Sequence, residues 1–112
     1  MQLLAEMRGD ALVITALEDR IDAAGAIRFK ERIRDAAAAG GARVVLDLSH
    51  VRFVDSSGLG AIVAVMKDLG PQRRLELAAL SPNVQKVFRL TRMDSVFVIH
   101  AEAPAAVLRD AG

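Results

Sequence analysis

Hydrophobic and polar positions alternate along this chain with two periods, and the changes of period mark its elements. Residues 2–7 and Ala11–Ala16 are short apolar runs separated by Arg8-Gly9-Asp10. A Gly-Asp pair between two strand-compatible runs predicts an antiparallel hairpin. The charged segment Glu18-Asp19-Arg20-Ile21-Asp22 follows as a loop. Then Ala26, Phe29, Ile33 and Ala36/Ala37 recur at three- and four-residue steps, while Arg28, Lys30, Arg32 and Arg34 point largely away, which predicts a helix. Asp22 is placed to be its N-cap, and Gly40-Gly41 to end it.

Residues 43–48 are nearly continuously apolar, as expected for a strand buried on both faces. The intervening helix implies a right-handed crossover and parallel pairing. Leu59, Ile62, Val63, Met66 and Leu69 form the next helical stripe, with Gly60, Ala64, Lys67 and Asp68 mostly opposite, and Gly70-Pro71 stops it. Residues 75–80 read as a strand. Ser81-Pro82 opens a further helix, with Ser81 as N-cap, proline at the first helical position and Val84, Val87 and Phe88 on the buried face. Residues 96–99 read as a last strand, and Ala103-Pro104 as the start of a terminal helix carrying Val107 and Leu108. The order is β-β-α-β-α-β-α-β-α: an α/β chain with a mixed, mostly parallel sheet, an antiparallel edge hairpin and about four helices.

Composition narrows the reading. The 112 residues fit one domain, 1–112, large enough for a single core. With 53% apolar residues, 26% charged residues and a net charge of +1, the chain has neither the basic field of a nucleic-acid binder nor the bias of a disordered tail. Only Arg73-Arg74 forms a basic pair of note, and with no Trp or Tyr there is no stacking platform for single strands. The absence of cysteine excludes disulfides and thiolate chemistry. No signal peptide or membrane-length apolar run is visible, so the expectation is a soluble, cytoplasmic domain with no membrane and no nucleic-acid partner.

Candidate chemistry concentrates where the strand at 43–48 passes through Phe53-Val54-Asp55 into Ser56-Ser57-Gly58-Leu59-Gly60. A serine hydrolase would need a base such as His50 or His100, but neither histidine stands at a telling spacing and there is no Gly-x-Ser-x-Gly turn. Gly58-x-Gly60 resembles a phosphate-binding turn only in part, since Val63 stands at the third glycine position and no Gly-Lys-Ser/Thr follows. Asp47 on a central strand could be a phospho-acceptor aspartate, but the first strand lacks the acidic pair that would hold Mg²⁺ and the last lacks a nearby lysine. Asp47 is therefore expected to be a structural or loop-bonding residue. No enzyme activity, cofactor or metal is expected. A protein-interaction switch written on Ser56 remains, set against the plainer possibility that Ser56 caps the helix.

Val45-Leu46-Asp47-Leu48 followed by Asp55-Ser56-Ser57-Gly58-Leu59-Gly60 resembles the signature of STAS domains, specifically bacterial anti-sigma factor antagonists. Ile21-Asp22-Ala23-Ala24 is similar to the family's loop before its first helix, and Ser81-Pro82-Asn83-Val84 with Val87-Phe88 to the segment before its last strand. The resemblance implies a small mixed sheet beside several helices. It also implies a partner, an ATP-dependent anti-sigma factor that is a serine kinase, and a PP2C-type phosphatase that reverses its work. Phosphorylation maps to Ser56, and Asp22, Asp55, Ser57, Gly58 and Gly60 match partner-binding positions around it. Gly58 and Gly60 are expected to let a kinase surface approach the backbone. Two positions depart from the family pattern: Asp19 stands where a glycine is common, and Thr91-Arg92-Met93 replaces Thr-Gly-Leu. Two alternatives stay open, a STAS module docked in a transporter or lipid-trafficking complex without phosphorylation, and a small nucleotide-binding or hydrolytic domain.

Overall fold

The computed structural model describes residues 2–38 and 40–104. Strands β1 (Leu3–Arg8) and β2 (Ala11–Ala16) form the expected hairpin, in the register Leu3 opposite Ala16 and Arg8 opposite Ala11. Gly9, at φ 64°, takes the left-handed conformation that its two-residue turn needs. Next come β3 (Arg20–Ile21), α1 (Ala26–Ala37), β4 (Arg43–Asp47), β5 (Phe53–Val54) and α2 (Ser56–Leu69). They are followed by β6 (Arg74–Ala78), α3 (Pro82–Leu90), a 3₁₀ turn (Met93–Ser95) and β7 (Ile99–His100). The main sheet has the order β1-β2-β4-β6-β7, parallel except for the hairpin. The described residues thus hold three α-helices; the expected terminal helix with Val107 and Leu108 lies outside them.

One face of the main sheet carries the core. Leu12, Ile14, Val44, Leu46, Leu75 and Leu77 pack against Phe29 and Ile33 of α1, Ile62 and Val65 of α2, and Val84 and Phe88 of α3. Phe97 closes this core edge-on against Phe88, their ring centroids 6.0 Å apart. The last strand falls on Ile99–His100 rather than on 96–99, because the Val96 and Phe97 N–H groups donate to the Met93 carbonyl (3.0 and 3.2 Å) at the end of the 3₁₀ turn; Val96 and Val98 are left exposed. The opposite face carries a smaller cluster of Ala11, Val13, Val45 and Ala78, with Ala103 against it. Glu76 lies on this second face beside Val45.

Two expectations are corrected. Asp22 does not cap α1. The helix starts four residues later with Gly25 as N-cap, because Gly25 N–H closes a turn onto the Asp22 carbonyl (3.0 Å) and the Asp22 carboxylate is held by Arg20 Nε (3.0 Å). The buried stripe of α2 is also rotated: Gly58, Ala61, Ile62 and Val65 face inward, while Leu59, Val63, Met66 and Leu69 pack at its margins. Small residues lie where the helix comes closest to its neighbours. Ser81 precedes α3 as expected, but its hydroxyl donates to the Val51 carbonyl (3.0 Å) rather than to its own helix.

The basic pair at 73–74 is structural. Arg73 donates to the carbonyls of Ala37 (2.7 Å), Gly40 (3.0 Å) and Gly41 (2.7 Å), satisfying acceptors at the end of α1. Arg74 pairs with Glu76 at 3.1 Å. Asp47 serves its loop, accepting from Ser49 N–H at 2.8 Å. Arg92 adopts φ 62°, a left-handed conformation that costs strain in a non-glycine residue.

Candidate functional site

A second, two-stranded sheet builds the site. β3 and β5 pair in parallel, Arg20 beside Phe53 and Ile21 beside Val54. Each is too short to leave a periodic signal in the sequence. Together they bring the loop at Asp22 against the start of α2, a junction formed by segments more than thirty residues apart. Arg52 N–H (2.7 Å) and Phe53 N–H (3.2 Å) both donate to the Asp19 carbonyl, which fixes the entry to this sheet. On its outer side the Arg20 guanidinium lies 4.9 Å from the Phe53 ring centroid.

Asp55 is the hinge pin of the junction. It is the N-cap of α2, in extended conformation at φ −97° and ψ −174°. Its Oδ1 accepts from Gly58 N–H (2.8 Å), and its Oδ2 accepts from Ala23 N–H (3.1 Å) in the loop. The Asp55 N–H donates to the Ile21 carbonyl at 3.3 Å. The bond from Gly58 is the chief reason that the Asp55 carboxyl stays below the usual carboxylate range, with Ala23 and Ser57 N–H adding to it against a partial burial cost. Asp55 is therefore a fixed negative charge at neutral pH.

With Asp55 as cap, Ser56 becomes the first residue of the helix and has no capping duty. Ser56 and Ser57 are both exposed, at the end of a 14-residue helix where backbone dipoles favour negative charge. The two glycines prove different. Gly58 is buried, and a Cβ there would stand 2.0 Å from the Ile21 carbonyl oxygen, so its clearance serves the close approach of α2 to β3. The expectation that Gly58 opens the backbone to a visiting surface is corrected accordingly. Gly60 is exposed and a Cβ there would meet nothing within 4 Å, which leaves that side of the helix open. Ser57 and Gly60 line a groove of about 180 Å³ between α1 and α2.

Of the residues singled out from sequence, Asp22, Asp55, Ser56, Ser57 and Gly60 therefore share one end of the molecule. His50 is exposed, and His100 is engaged on the far sheet face with Glu76 Oε1 at 2.7 Å, so no base–serine pair is assembled from them. Among the described residues no group of three or more His, Asp or Glu could hold a metal. No described helix is long and apolar enough to cross a membrane. The sequence marks Ile21 and Ala23 only as part of the loop motif; their contributions here are a backbone carbonyl and an N–H, which leave no mark on residue type.

Comparison with known proteins agrees with this fold. A Bordetella bronchiseptica protein named as an anti-sigma factor antagonist, BtrV, is 31% identical over 105 residues, covering 91% of this chain and 90% of its own. The crystal structure of an anti-sigma factor antagonist from Mycobacterium paratuberculosis superposes with a TM-score of 0.78 at 26% identity, over 98% of this chain and 89% of that one. The Bacillus protein SpoIIAA shares the fold at lower identity. Its unphosphorylated form matches with a TM-score of 0.68 and 24% identity, over 88% of this chain and 87% of that one. Its phosphorylated form matches with a TM-score of 0.61 and 23% identity, over 88% and 90%. The STAS domain family model matches residues 2–106, and this chain belongs to the STAS domain family.

Proposed function

We propose that this protein is an anti-sigma factor antagonist, a binding protein rather than an enzyme, whose hold on its partner is released when Ser56 is phosphorylated. The names of its relatives support the first part. The observation that carries the second is the division of labour at the start of α2: Asp55 takes the cap, which leaves the exposed Ser56 hydroxyl with no capping role. The partner is an anti-sigma factor that is also an ATP-dependent serine kinase, and a PP2C-type phosphatase restores the binding form. Asp22, Asp55, Ser57 and Gly60 form the contact surface around Ser56, and Gly58 holds that surface in shape.

The switch is electrostatic. A phosphate on Ser56 adds about 1.5–2 negative charges and three acceptor oxygens next to the fixed charge of Asp55. The helix end tolerates this, favouring an anion by roughly 0.3–1 kcal/mol, so the domain keeps its fold. A partner surface that accommodates Asp55 then meets a second anion, and about 3 kcal/mol of such coupling lowers affinity about 150-fold. The same scheme needs no ligand in the antagonist itself.

The test is affinity capture of the partner followed by incubation with ATP and mapping of the phosphate by mass spectrometry. Modification of Ser56, abolished in Ser56→Ala, is expected. Phosphate on Ser57 with Ser56 untouched would overturn the assignment, and capture of a transporter subunit with no kinase would favour the docking-module alternative.

A further inference from the structure

The groove between α1 and α2 has a character that the switch does not explain. Its floor is made of small residues, Ala26, Gly60, Ala61 and Ala64, and Ser57 lies at its edge. Ile27 and Lys30 of α1 form its wall. Ile27 is 72% exposed, an unusual place for a β-branched apolar side chain on a helix whose other large apolar residues, Phe29 and Ile33, are fully buried. The ion pairs among the described residues leave Lys30 unengaged. Farther along, the same two helices are tied together by Arg34 and Asp68, with Nη2–Oδ2 at 2.7 Å and Nε–Oδ2 at 3.2 Å. The helix pair is thus pinned beyond the groove and open at the end beside the serines.

We propose that this groove is a second, selectivity-determining contact for the partner that the Ser56 surface binds, taking one apolar partner side chain against Ile27 with a partner carboxylate opposite Lys30. The inference rests on the partner reading above. Ser57 belongs to both surfaces, so a partner seated over Ser56 reaches the groove without a break in contact. The chemistry on the two sides differs. Around Ser56 the fixed charge is the negative one of Asp55, and a switchable charge of the same sign decides whether binding occurs. In the groove the charge is the positive one of Lys30 and does not switch, so it discriminates between partners rather than between states.

The experiment uses the full chain and the purified serine-kinase anti-sigma factor that modifies Ser56, with affinity read by calorimetry and folding by thermal midpoint. Ile27→Ala is expected to weaken binding about tenfold or more, as expected for loss of a buried aliphatic contact. Lys30→Glu should weaken it with a reduced sensitivity to salt. Both variants should keep the wild-type thermal midpoint, since neither residue belongs to the core. Gly60→Ala fills the groove with a methyl group that meets nothing internal, so it should raise the midpoint while lowering affinity. Unchanged affinity in Ile27→Ala and Lys30→Glu, with binding still lost on Ser56 phosphorylation, would overturn the groove and leave the switch standing. Wild-type protein that binds no such kinase would overturn both.

Discussion

Among the described residues, two carboxylates are held below the usual range, and the ways they are held differ. Asp55 sits at the rim, bonded to backbone N–H groups of Gly58 and Ala23, and it fixes the position of a loop relative to a helix end. Glu76 is only 3% exposed on the sheet face opposite the three described helices, bonded to the side chains of His100 and Arg43 and paired with Arg74. Burial alone would push the Glu76 carboxyl up; the hydrogen bonds from His100 and Arg43 and the charges of Arg43 and Arg74 together outweigh it, and the net direction is down. One acid places a surface, and the other closes a face of the sheet. Substituting Asp55 itself should therefore show in binding and local order, and substituting Glu76 in global stability.

The largest expected effect separates the two glycines that flank Leu59. Gly58→Ala puts a methyl group into the Ile21 backbone, which cannot yield as a side-chain tip can, and should cost about 3 kcal/mol or more in urea unfolding. Gly60→Ala should gain about 0.5–1 kcal/mol. Equal effects at the two positions would mean that α2 does not approach β3 as closely as described.

Next in size is Glu76→Gln, which leaves Arg43 and His100 facing a neutral amide. About 2 kcal/mol of destabilisation is expected, below the 3–5 kcal/mol of a fully buried pair because Arg74 is largely solvated. The sign with pH follows from the lowered carboxyl: the contribution of Glu76 is full above its ordinary value of 4.5 and fades as pH falls through the folded-state value. Thermal midpoints of wild type and Glu76→Gln should therefore converge in acid and separate towards neutrality. A constant gap across that range would mean that the Glu76 charge does not contribute.

Asp55→Asn should be milder in stability and plainer in local dynamics. Asparagine can still accept from Gly58, but its amide nitrogen cannot accept from Ala23 N–H as Oδ2 does. Amide exchange at Ala23 should accelerate while the β4 amides keep their protection. The smallest change is Arg92→Gly, which relieves a left-handed residue after α3 and should stabilise by about 0.5 kcal/mol, the relief of strain partly offset by the looser unfolded chain.

What was legible in the sequence follows the length and chemistry of each signal. The β1–β2 hairpin, the buried strand β4, and helices α2 and α3 with Gly70 and Pro82 at their ends all carry periodicity or punctuation over several residues. Strands β3 and β5 have two residues each and carry neither, although the junction that holds Asp55 depends on them. The start of α1 was misplaced because the Asp22 side chain is taken by Arg20, a competition that cap preference alone cannot reveal. The inward face of α2 differs from the expectation because its close approach to β3 uses Gly58 and its buried stripe includes Ala61, and a search for large apolar residues passes over small ones. The serine motif was legible as a motif. That Asp55, and not Ser56, caps the helix needed the coordinates.

The central claim is that a charge on Ser56, beside the fixed charge of Asp55, decides whether the partner binds. Calorimetric titration of the serine-kinase anti-sigma factor with this protein, once unphosphorylated and once carrying phosphate on Ser56 alone, tests it most directly. The account predicts a dissociation constant about 100-fold or more higher for the phosphorylated form, with the same thermal midpoint or a slightly higher one. Equal dissociation constants for the two forms, with the fold intact in both, would contradict it.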